Sequence, residues 1–278
     1  MRLVLAFLVV LLLAEPTFAA GSQRIVSIGG AATEIVYALG AGSDVVGSDT
    51  TSYFPPQAKN TPKVGYQRAL SAEGILSLSP DVVLLSEESG PPKVLAQLES
   101  VGLHLVYLKA GRSLDDVRAN TRTVGDALGL SEKATALINS LAETEAKLRD
   151  VTRQYDQRKR VLFILQYGGG APMVAGVSTA ADSIIALAGG QNAVSGYSGY
   201  KPLTPESAVA AQPDIILLTS QGLEAIGGSE GLRGLPGLAL TPAVKNDQII
   251  AMDALLLLGF GPRTADAVMT LHRKFSAP

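Results

Sequence analysis

One pattern occurs twice in this sequence, as LSAEGILSLSPDVVLL at residues 70–85 and as LTPESAVAAQPDIILL at residues 203–218. In both copies a glutamate, Glu73 or Glu206, is followed seven residues later by a Pro-Asp pair and then by four β-branched or leucine residues. A second pair of similar stretches, TEIVYALGAGSDVVG and ADSIIALAGGQNAVSG, precedes these copies in the same order. The chain is therefore predicted to form two related lobes, and clefts between lobes commonly bind small ligands.

Short apolar runs alternate with amphipathic segments in both halves. The sequence predicts strands at 24–28, 82–85, 103–108, 160–165, 215–218 and 248–252, and helices at 91–101, 180–187 and 263–275. The strand segments are continuously apolar, which is typical of strands that are buried on both faces of a parallel sheet. We therefore expect an α/β fold of two lobes, each with a mostly parallel sheet flanked by helices.

Residues 131–158 are predicted to form one long rigid helix that joins the lobes. Ser131 can cap the start of this helix, and Glu132 complements its dipole. Apolar residues then recur at three- and four-residue spacing, with charged residues on the opposite face. The expected organisation is a signal peptide at 1–20, an N-terminal lobe at 21–130, the bridging helix at 131–158 and a C-terminal lobe at 159–278.

The N-terminus has the features of a secretory signal peptide. Arg2 precedes an apolar run from Leu3 to Ala14 that is short for a membrane span, and a small-residue cleavage region follows. The chain contains no cysteine, so it lacks the residue through which a bacterial lipoprotein is anchored. We therefore expect an exported protein in the periplasm of a bacterium with two membranes.

The composition excludes several classes of protein. Hydrophobic residues make up 47% of the chain, which is sufficient for a core and excludes disorder. The net charge of −2 offers no electrostatic surface for nucleic acid. Beyond the signal peptide, no segment has the length and apolarity of a membrane span. We therefore expect a monomer that is not embedded in a membrane and has no nucleic-acid partner.

The two halves differ mainly in one loop. A shared Ala-Leu pair lies 32 residues before a shared Leu-[Ser/Thr] pair in the first half but 17 residues before it in the second, so the first half carries fifteen additional residues. Insertions into a repeated scaffold fall in loops, and such loops commonly carry function. This one contains Tyr53, Phe54 and three prolines, and it ends at Gly65-Tyr66-Gln67-Arg68.

The end of this loop has a chemically suggestive spacing. Arg68 follows Tyr66 by two residues, and a guanidinium close to a phenol favours the phenolate form. A phenolate is a hard anionic ligand that suits ferric iron, and tyrosine is one of the protein ligands of haem. The alternative is a surface tyrosine at a loop end beside a solvated arginine, and the spacing alone favours this simpler interpretation.

Three segments resemble the periplasmic hemin-binding proteins that supply ATP-driven hemin importers: VGYQRALSAEGILSL (64–78), RIVSIGGAATEIVYALG (24–40) and GFGPRT (259–264). The resemblance implies a class III periplasmic binding protein fold, with two α/β lobes bridged by a long helix. It also implies that the protein captures haem and delivers it to an inner-membrane ABC permease with its ATPase. In the family motif Gly-Tyr-x-Arg, the tyrosine is the axial ligand of ferric haem and the arginine hydrogen-bonds to it, which implies these roles for Tyr66 and Arg68.

The resemblance also implies a role for the repeated glutamates. In importers of this architecture one glutamate per lobe docks onto arginines of the permease, and the two sequence copies assign these positions to Glu73 and Glu206. A pair of charges read by two permease subunits would fix the orientation and add multivalency. The alternative is that each carboxylate only complements the dipole at the start of a helix.

Further residues are weaker candidates. Some members of the family carry a histidine after the strand that opens the second lobe, where it can ligate a second haem, and this chain has Tyr167 there. Tyr167 is expected to line the cleft of a one-haem site, or alternatively to ligate or hydrogen-bond a haem. Arg233 could pair with a haem propionate or be solvated, and Arg263 is expected to cap or anchor the last helix. His104 and His272 are predicted to be structural.

Two other functions were compared with haem binding. A protein of the same architecture could bind a ferric siderophore or cobalamin, in which case Tyr66 and Arg68 would only line the cleft. A periplasmic enzyme is disfavoured because the sequence has no Gly-x-Ser-x-Gly motif, no dinucleotide fingerprint and no cluster with zinc spacing. The sequence therefore predicts a binding protein and not an enzyme.

Overall fold

A computed structural model describes residues 23–152, 158–166 and 171–277. It confirms the predicted α/β fold of two lobes, each built on a mainly parallel sheet with helices. The predicted signal peptide and the C-terminal end of the predicted bridging helix lie outside the described residues. Within the described part of the chain, no helix combines the length and apolarity needed to cross a membrane.

The elements follow one another in an α/β order. Those of the first lobe are β1 (Ile25–Ile28), α1 (Gly30–Ala38), β2 (Val45–Ser48), β3 (Gly65–Tyr66), β4 (Ala69–Leu70), α2 (Ala72–Leu76), β5 (Val82–Ser86), α3 (Pro92–Ser100), β6 (His104–Leu108) and α4 (Leu114–Ala127). The long helix α5 (Ser131–Thr152) comes next. Those of the second lobe are β7 (Arg160–Leu165), β8 (Met173–Ala175), α6 (Ala180–Leu187), β9 (Gln191–Asn192), β10 (Tyr200–Pro202), α7 (Pro205–Ala211), β11 (Ile215–Thr219), α8 (Ser220–Ile226), α9 (Gly228–Arg233), α10 (Pro242–Lys245), β12 (Ile249–Met252), α11 (Ala254–Leu258) and α12 (Thr264–Phe275).

The two sheets share a parallel core but differ at one edge. The first has the order β2-β1-β5-β6, and all of its pairs are parallel. The second has the order β10-β8-β7-β11-β12, with β9 beside β7; its strands β7, β11 and β12 are parallel, whereas β8 and β10 form an antiparallel edge. The sequence did not predict this edge, because strands of three residues are too short to show a period.

Equivalent hydrogen bonds explain why the Pro-Asp pattern occurs twice. In the first lobe, Oδ2 of Asp81 accepts a 2.7 Å bond from the backbone N–H of Arg24, and the N–H of Asp81 donates to the Arg24 carbonyl at 2.8 Å. Asp214 and Arg160 form the same two bonds at the same distances in the second lobe. Each aspartate therefore ties the start of its strand to the first strand of the lobe, where β1 pairs with β5 and β7 pairs with β11.

The same two arginines also close the helices that precede the aspartates. Nη2 of Arg24 donates to the carbonyl of Leu78 at 2.7 Å, and Nη2 of Arg160 donates to the carbonyl of Ala211 at 2.8 Å. These cations satisfy carbonyl groups that a helix end leaves without partners. In both copies the residue before the proline adopts a left-handed conformation, with φ of 43° and 40°, which turns the chain from the helix into the strand.

Helix α5 belongs to the apolar cores of both lobes. Near its start, Ala134 packs in the first-lobe core, and further along Leu141 and Leu148 pack in the second-lobe core. The helix also lies against α4 and α12. Arg118 of α4 pairs with Glu145 of α5, whose side chain is only 10% exposed. Because one helix contributes to both cores, a change in the angle between the lobes would disturb its packing.

A buried seam joins the lobes beside the cleft. Glu34 of α1, with a side chain 4% exposed, accepts a 2.9 Å bond from Nε of Arg263 and a second bond from the same guanidinium. The guanidinium also stacks on Phe54, with Cζ 3.4 Å from the ring centroid. Arg263 was expected to cap or anchor the last helix, but it makes no side-chain cap bond to α12. Its side chain instead connects the two lobes, because Glu34 gives it a carboxylate partner in the opposite lobe.

Tyr53 of the inserted loop adds a second connection to this seam. Its hydroxyl donates to Oδ2 of Asp253 at 3.1 Å and accepts a 2.8 Å bond from the N–H of Leu255. Burial raises the pKa of Tyr53 to about 12, so the hydroxyl keeps the proton that it donates. The inserted loop of the first lobe is therefore bonded directly to the second lobe.

Candidate functional site

A cleft of about 910 Å³ lies between the two lobes. Residues that follow the carboxyl ends of the strands line it, including Gly29 after β1, Glu88 after β5 and Lys109 after β6, with Gln166 after β7 on the opposite side. Ligands of open α/β sheets bind outside these strand ends. The volume lies towards the upper end of the roughly 300–1,000 Å³ range of small-molecule sites, so the cleft suits a large ligand.

Tyr66 reaches the cleft from the short ribbon that β3 and β4 form. Gly65 precedes it with a φ of +112°, and a Cβ at this position would lie 2.6 Å from the carbonyl oxygen of Ala69. Only glycine fits this conformation and this close approach. The N–H of Thr50 donates to the Gly65 carbonyl at 2.9 Å, which attaches the ribbon to the inserted loop. Gly65 therefore helps to position Tyr66.

Arg68 binds the phenol oxygen of Tyr66. Its Nη1 donates to Tyr66 Oη at 2.6 Å, and its Nη2 pairs with the carboxylate of Glu88. Burial would lower the pKa of Arg68, but Tyr66 and Glu88 outweigh it and raise the pKa above the ordinary value. The guanidinium therefore stays charged and supports negative charge on the phenol oxygen. The structure brings together the two residues predicted from the motif and adds Glu88 to them.

A buried carboxylate shapes the first part of the inserted loop. Asp49 is fully buried, and it accepts bonds from the N–H groups of Gly29 at 3.0 Å and Thr51 at 3.1 Å. It also accepts 2.7 Å bonds from the hydroxyls of Thr51 and Ser52. Four donors satisfy the buried charge, as a carboxylate without water requires. The loop therefore leaves β2 in one defined direction.

A lysine shapes the second part of the same loop. Nζ of Lys63 donates to Ser48 Oγ at 2.8 Å and to the carbonyl oxygens of Ser52 and Ala58 at 2.9 Å each. Burial lowers the pKa of Lys63, while the charge of Asp49 opposes this effect. Lys63, near the end of the loop, is thereby bonded to its start at Ser48 and to its middle at Ser52 and Ala58. The ribbon that carries Tyr66 therefore begins from a fixed point.

Tyr200 lines the cleft from the second lobe and was not predicted. It lies on the edge strand β10 and forms a hydrogen bond with Thr179. Burial raises its pKa, so its hydroxyl stays protonated. The charges of Glu88, Arg112 and Arg68 also act on Tyr200, which places it near the charged wall of the first lobe. Its strand is too short to be recognised from sequence, so no signal distinguished this tyrosine.

Glu88, Lys109 and Arg112 also line the cleft and were missed by the sequence reasoning. A signal for them was available, because the strands at 82–85 and 103–108 were predicted and the residues after parallel strands meet at the same edge of a sheet. Applying that rule to polar residues just beyond each strand would have selected all three.

Glu73 and Glu206 occupy equivalent places. Each is the second residue of a short helix, α2 or α7, and each is exposed. The serine or threonine two positions earlier accepts a backbone N–H of the same helix through its side chain. Neither glutamate forms a salt bridge with another residue in the described ranges, so both carboxylates are available to a partner.

The remaining candidate residues are not among the described residues that line the cleft. Tyr167 lies outside the described residues. Arg233 is not among the residues that line the cleft; it pairs with Glu230 at 2.5 Å and with Asp247 on the surface of the second lobe. His104 and His272 lie away from the cleft as well. His272 is buried, with Nδ1 3.1 Å from the carbonyl oxygen of Ala188.

A conventional metal site is not found in the described part of the chain. No group of three or more histidine, cysteine, aspartate or glutamate side chains is arranged there to hold an ion. The cleft instead presents the phenol of Tyr66 with the Arg68 guanidinium bound to it, a few further charged groups on the first-lobe wall, and otherwise apolar or neutral side chains. Such a site can bind a large planar ligand whose metal accepts a single oxygen donor.

Two solved structures are similar to this chain over almost their whole length. The periplasmic heme-binding protein RhuT from Roseiflexus sp. RS-1, in its apo form, is 45% identical, with a TM-score of 0.89 and coverage of 92% of this chain and 98% of that one. The periplasmic heme-binding protein BhuT in complex with two hemes is 44% identical, with a TM-score of 0.88 and coverage of 91% and 98%.

Curated relatives are more distant. The ABC transporter substrate-binding lipoprotein YvrC of Bacillus subtilis (strain 168) is 29% identical over 90% of this chain and 78% of its own length. The vitamin B12-binding protein of Vibrio cholerae serotype O1 (strain M66-2) is 27% identical over 92% and 89%. The periplasmic binding protein family matches residues 25–256. With this match and the two-lobed fold, the chain belongs to the periplasmic binding protein family.

Proposed function

We propose that this protein captures haem in the periplasm and delivers it to an ABC permease for import. The observation that carries the proposal is the 2.6 Å bond from Arg68 Nη1 to Tyr66 Oη at the wall of a 910 Å³ cleft. Solved structures 44–45% identical to this chain are of heme-binding proteins. Haem is the cargo of such a protein and not a resident cofactor, and the function is binding, not catalysis.

In this proposal Tyr66 is the axial ligand of the haem iron. The phenolate oxygen donates to iron while Arg68 stabilises its negative charge, and Glu88 holds the second arm of Arg68 in place. An anionic oxygen ligand favours the ferric state, so the cargo is ferric haem. One haem binds per protein in this proposal. Arg233 is not assigned a ligand contact, because its guanidinium has two carboxylate partners of its own.

The exposed glutamates are the proposed contacts with the permease. Glu73 and Glu206 lie at the same position of equivalent helices, one in each lobe, and neither carboxylate is paired within the described residues. Two permease subunits that carry arginines would each bind one of these two glutamates, and this would orient the cleft over the transport pathway. The N-terminal segment is the proposed cleaved signal peptide that directs the protein to the periplasm.

Hemin titration of matched tyrosine variants tests the proposal. Wild-type protein is expected to bind hemin with the absorption spectrum of high-spin ferric iron bound to a phenolate. Tyr66→Phe should lose that spectrum, because the ring remains but the ligand oxygen is removed. Tyr107→Phe is the control, since Tyr107 is exposed and its hydroxyl donates to Glu99 on the surface. An unchanged spectrum and affinity in Tyr66→Phe would overturn the assignment.

Cobalamin and ferric siderophores are the alternative cargoes, and relatives named vitamin B12-binding proteins give a reason to test cobalamin. Competition of each compound against bound hemin separates the possibilities. We expect neither to displace hemin at equal concentration. Tight cobalamin binding that is insensitive to Tyr66→Phe would favour the alternative, in which Tyr66 and Arg68 only line the cleft.

A further inference from the structure

Four oxygen atoms surround the ammonium group of Lys63, two from hydroxyl groups and two from backbone carbonyls. Nζ lies 2.8 Å from Ser48 Oγ and 3.4 Å from Thr61 Oγ1. It also lies 2.9 Å from the carbonyl oxygens of Ser52 and Ala58. Three of these contacts are short, and an ammonium group has three protons to donate. Carbonyl oxygens can also replace the hydration shell of a free monovalent cation, so these oxygens have the chemistry of a cation site.

The lysine enters this site from the solvent side. Ser48, Ser52 and Ala58 are fully buried, whereas Lys63 as a whole residue is exposed and only its ammonium end is partly buried. Burial lowers the pKa of Lys63, and the negative charge of the buried Asp49 opposes this effect. Asp49 therefore favours a positive charge at this place. Because the lysine stem approaches from outside, shortening it would open the oxygens to ions in solution.

The backbone beside Lys63 leads directly to Tyr66. The N–H of Ser48 donates to the Pro62 carbonyl at 2.9 Å, and the N–H of Val64 donates to the Ser48 carbonyl at 3.0 Å. These bonds hold the end of the inserted loop parallel to the residue that closes β2. Two residues after Val64 the chain reaches Tyr66, so the ammonium group lies in the segment from which the phenol is directed into the cleft.

The same ammonium group also holds the part of the loop that reaches the second lobe. It binds the carbonyl of Ser52, and the next residue, Tyr53, donates to Asp253 Oδ2 at 3.1 Å. Phe54 follows and carries the guanidinium of Arg263 on its ring. One cation thus connects the segment before the proposed iron ligand with the contacts between the lobes.

We infer that Lys63 is a positioning residue for Tyr66 and that its ammonium group occupies a monovalent-cation site built into the inserted loop. The effect on Tyr66 rests on the proposed function, because iron binding reports where the phenol oxygen lies. If the lysine side chain is shortened, the four oxygens bind a free ammonium or potassium ion in its place. A divalent ion is disfavoured, because the oxygens that the described residues place around Nζ include no carboxylate.

Two variants that differ in the space they leave test this inference. Lys63→Ala removes the charge and the stem, so a free ion can enter, whereas Lys63→Met removes the charge but fills most of the space. Each should weaken hemin binding about tenfold, as for the loss of charged hydrogen bonds. Each should also shift the phenolate-to-iron charge-transfer band, which a mere loss of stability would leave in place. Lys59→Ala is the matched control, because Lys59 is an exposed lysine of the same loop.

Rescue by added ions at constant ionic strength separates a cation site from a general charge effect. Ammonium chloride should restore the hemin affinity and the band position of Lys63→Ala, and it should leave Lys63→Met unchanged. Tetramethylammonium chloride carries the same charge but is too large and has no proton to donate, so it should rescue neither variant. The thermal unfolding midpoint of haem-free Lys63→Ala should rise with the ammonium concentration, because binding to the folded state stabilises it.

The possible outcomes separate this inference from the proposed function. Unchanged hemin affinity and band position in both Lys63 variants would overturn the positioning role. Equal effects of ammonium and tetramethylammonium on Lys63→Ala would overturn the cation site. If wild type binds no hemin, the proposed function and the positioning role are overturned, while the unfolding midpoint still decides the cation site. Should Lys63→Ala be unfolded in dilute buffer, refolding in ammonium but not in tetramethylammonium chloride would support the site, and refolding in neither would overturn it.

Discussion

The two lobes present different walls to the cleft although the same hydrogen bonds organise their sheets. Asp81 with Arg24 and Asp214 with Arg160 repeat one arrangement to within the distances quoted above. The first-lobe wall nevertheless carries the phenol–guanidinium pair and every charged group that lines the cleft among the described residues. The repeated pattern thus accounts for the scaffold, and the chemistry lies where the copies differ.

This difference also assigns separate tasks to the lobes. In the proposed function, the first lobe provides the iron ligand, Tyr66, on a loop that its counterpart lacks. The described residues with which the second lobe lines the cleft are uncharged and include Tyr200. A ligand with one polar edge and a large apolar body matches such an asymmetric cleft better than a uniformly polar ligand does.

The largest expected effect is a loss of stability at the seam, where Arg263 and Glu34 join the two lobes. Arg263→Met removes the only cation that faces Glu34 in the described seam and leaves a buried carboxylate, which should cost about 3–5 kcal/mol of unfolding free energy. The double variant Arg263→Met/Glu34→Leu should recover most of this loss, because an apolar pair replaces the ion pair. Denaturant unfolding measures both. A single variant as stable as wild type would show that this ion pair does not contribute to holding the lobes together.

A smaller effect is expected at the two glutamates proposed to contact the permease, where the lobes should behave alike. Glu73→Arg and Glu206→Arg should each lower hemin-stimulated ATPase activity of the reconstituted permease about tenfold or more, because a repulsive charge replaces an attractive one. Hemin affinity should be unchanged. Glu132→Arg is the control, since Glu132 is also an exposed glutamate in the first turn of a helix. An equal loss in Glu132→Arg would favour the helix-dipole explanation.

The scaffold bonds provide a direct test of equivalence between the copies. Asp81→Ala and Asp214→Ala each leave a backbone N–H without its acceptor, and each should cost about 1–2 kcal/mol of unfolding free energy. The two losses should agree within about 0.5 kcal/mol and should add in the double variant, because the sites belong to different lobes. Urea unfolding curves measure them. If only one of the two substitutions lowered the unfolding free energy, the two aspartates would not be equivalent in the scaffold.

The seam should also make stability depend on pH. Burial raises the pKa of Glu34 above its ordinary value, although Arg263 opposes the shift. The folded state therefore keeps the proton to a higher pH than the unfolded state, and this contribution to stability is lost as the pH rises through the folded-state pKa. The stability of wild type relative to Glu34→Gln should fall as the pH rises from the ordinary glutamate pKa, about 4.3, through the raised folded-state pKa. If the stability of wild type relative to Glu34→Gln rose with pH instead, the expected direction of the Glu34 pKa shift would be wrong.

The smallest effect is expected at Glu88. Glu88→Gln weakens the hold on one arm of Arg68, so hemin affinity should fall by less than about fivefold. Arg68 then donates more strongly to the phenolate, and the phenolate-to-iron charge-transfer band should shift to shorter wavelength. Glu99→Gln, which alters a surface bond to Tyr107, is the control. An unshifted band in Glu88→Gln would show that Arg68 needs no support from this carboxylate.

Much of the scaffold could be predicted because the sequence patterns that indicate its strands and helices each lie within a short segment of the chain. The apolar runs of β5 and β11 end at Leu85 and Leu218 in the prediction and one residue later in the structure. Ser131 marked the start of α5 correctly. Tyr66 and Arg68 were selected through the resemblance to a family motif, because their spacing alone favoured a surface tyrosine beside a solvated arginine.

Contacts between distant parts of the chain could not be predicted in this way. Glu34 lies in an apolar helix and Arg263 is 229 residues away, so neither has a local pattern that signals the pair. Arg112 and Glu88 meet only because parallel strands bring their carboxyl ends together. Tyr200 depends on an antiparallel edge that is too short to leave a periodic signal. Each of these required the topology before the residue could be recognised.

The polar core of the inserted loop has a consequence for evolution. Within the described residues, the Lys63 ammonium donates its hydrogen bonds to residues 48–61, so the loop carries these contacts itself. It leaves the parallel sheet at β2 and returns through the ribbon that bears Tyr66. Such a segment is a natural unit of recombination: a graft between related scaffolds would exchange the proposed iron ligand, while the sheets and the glutamates proposed to contact the permease stay the same.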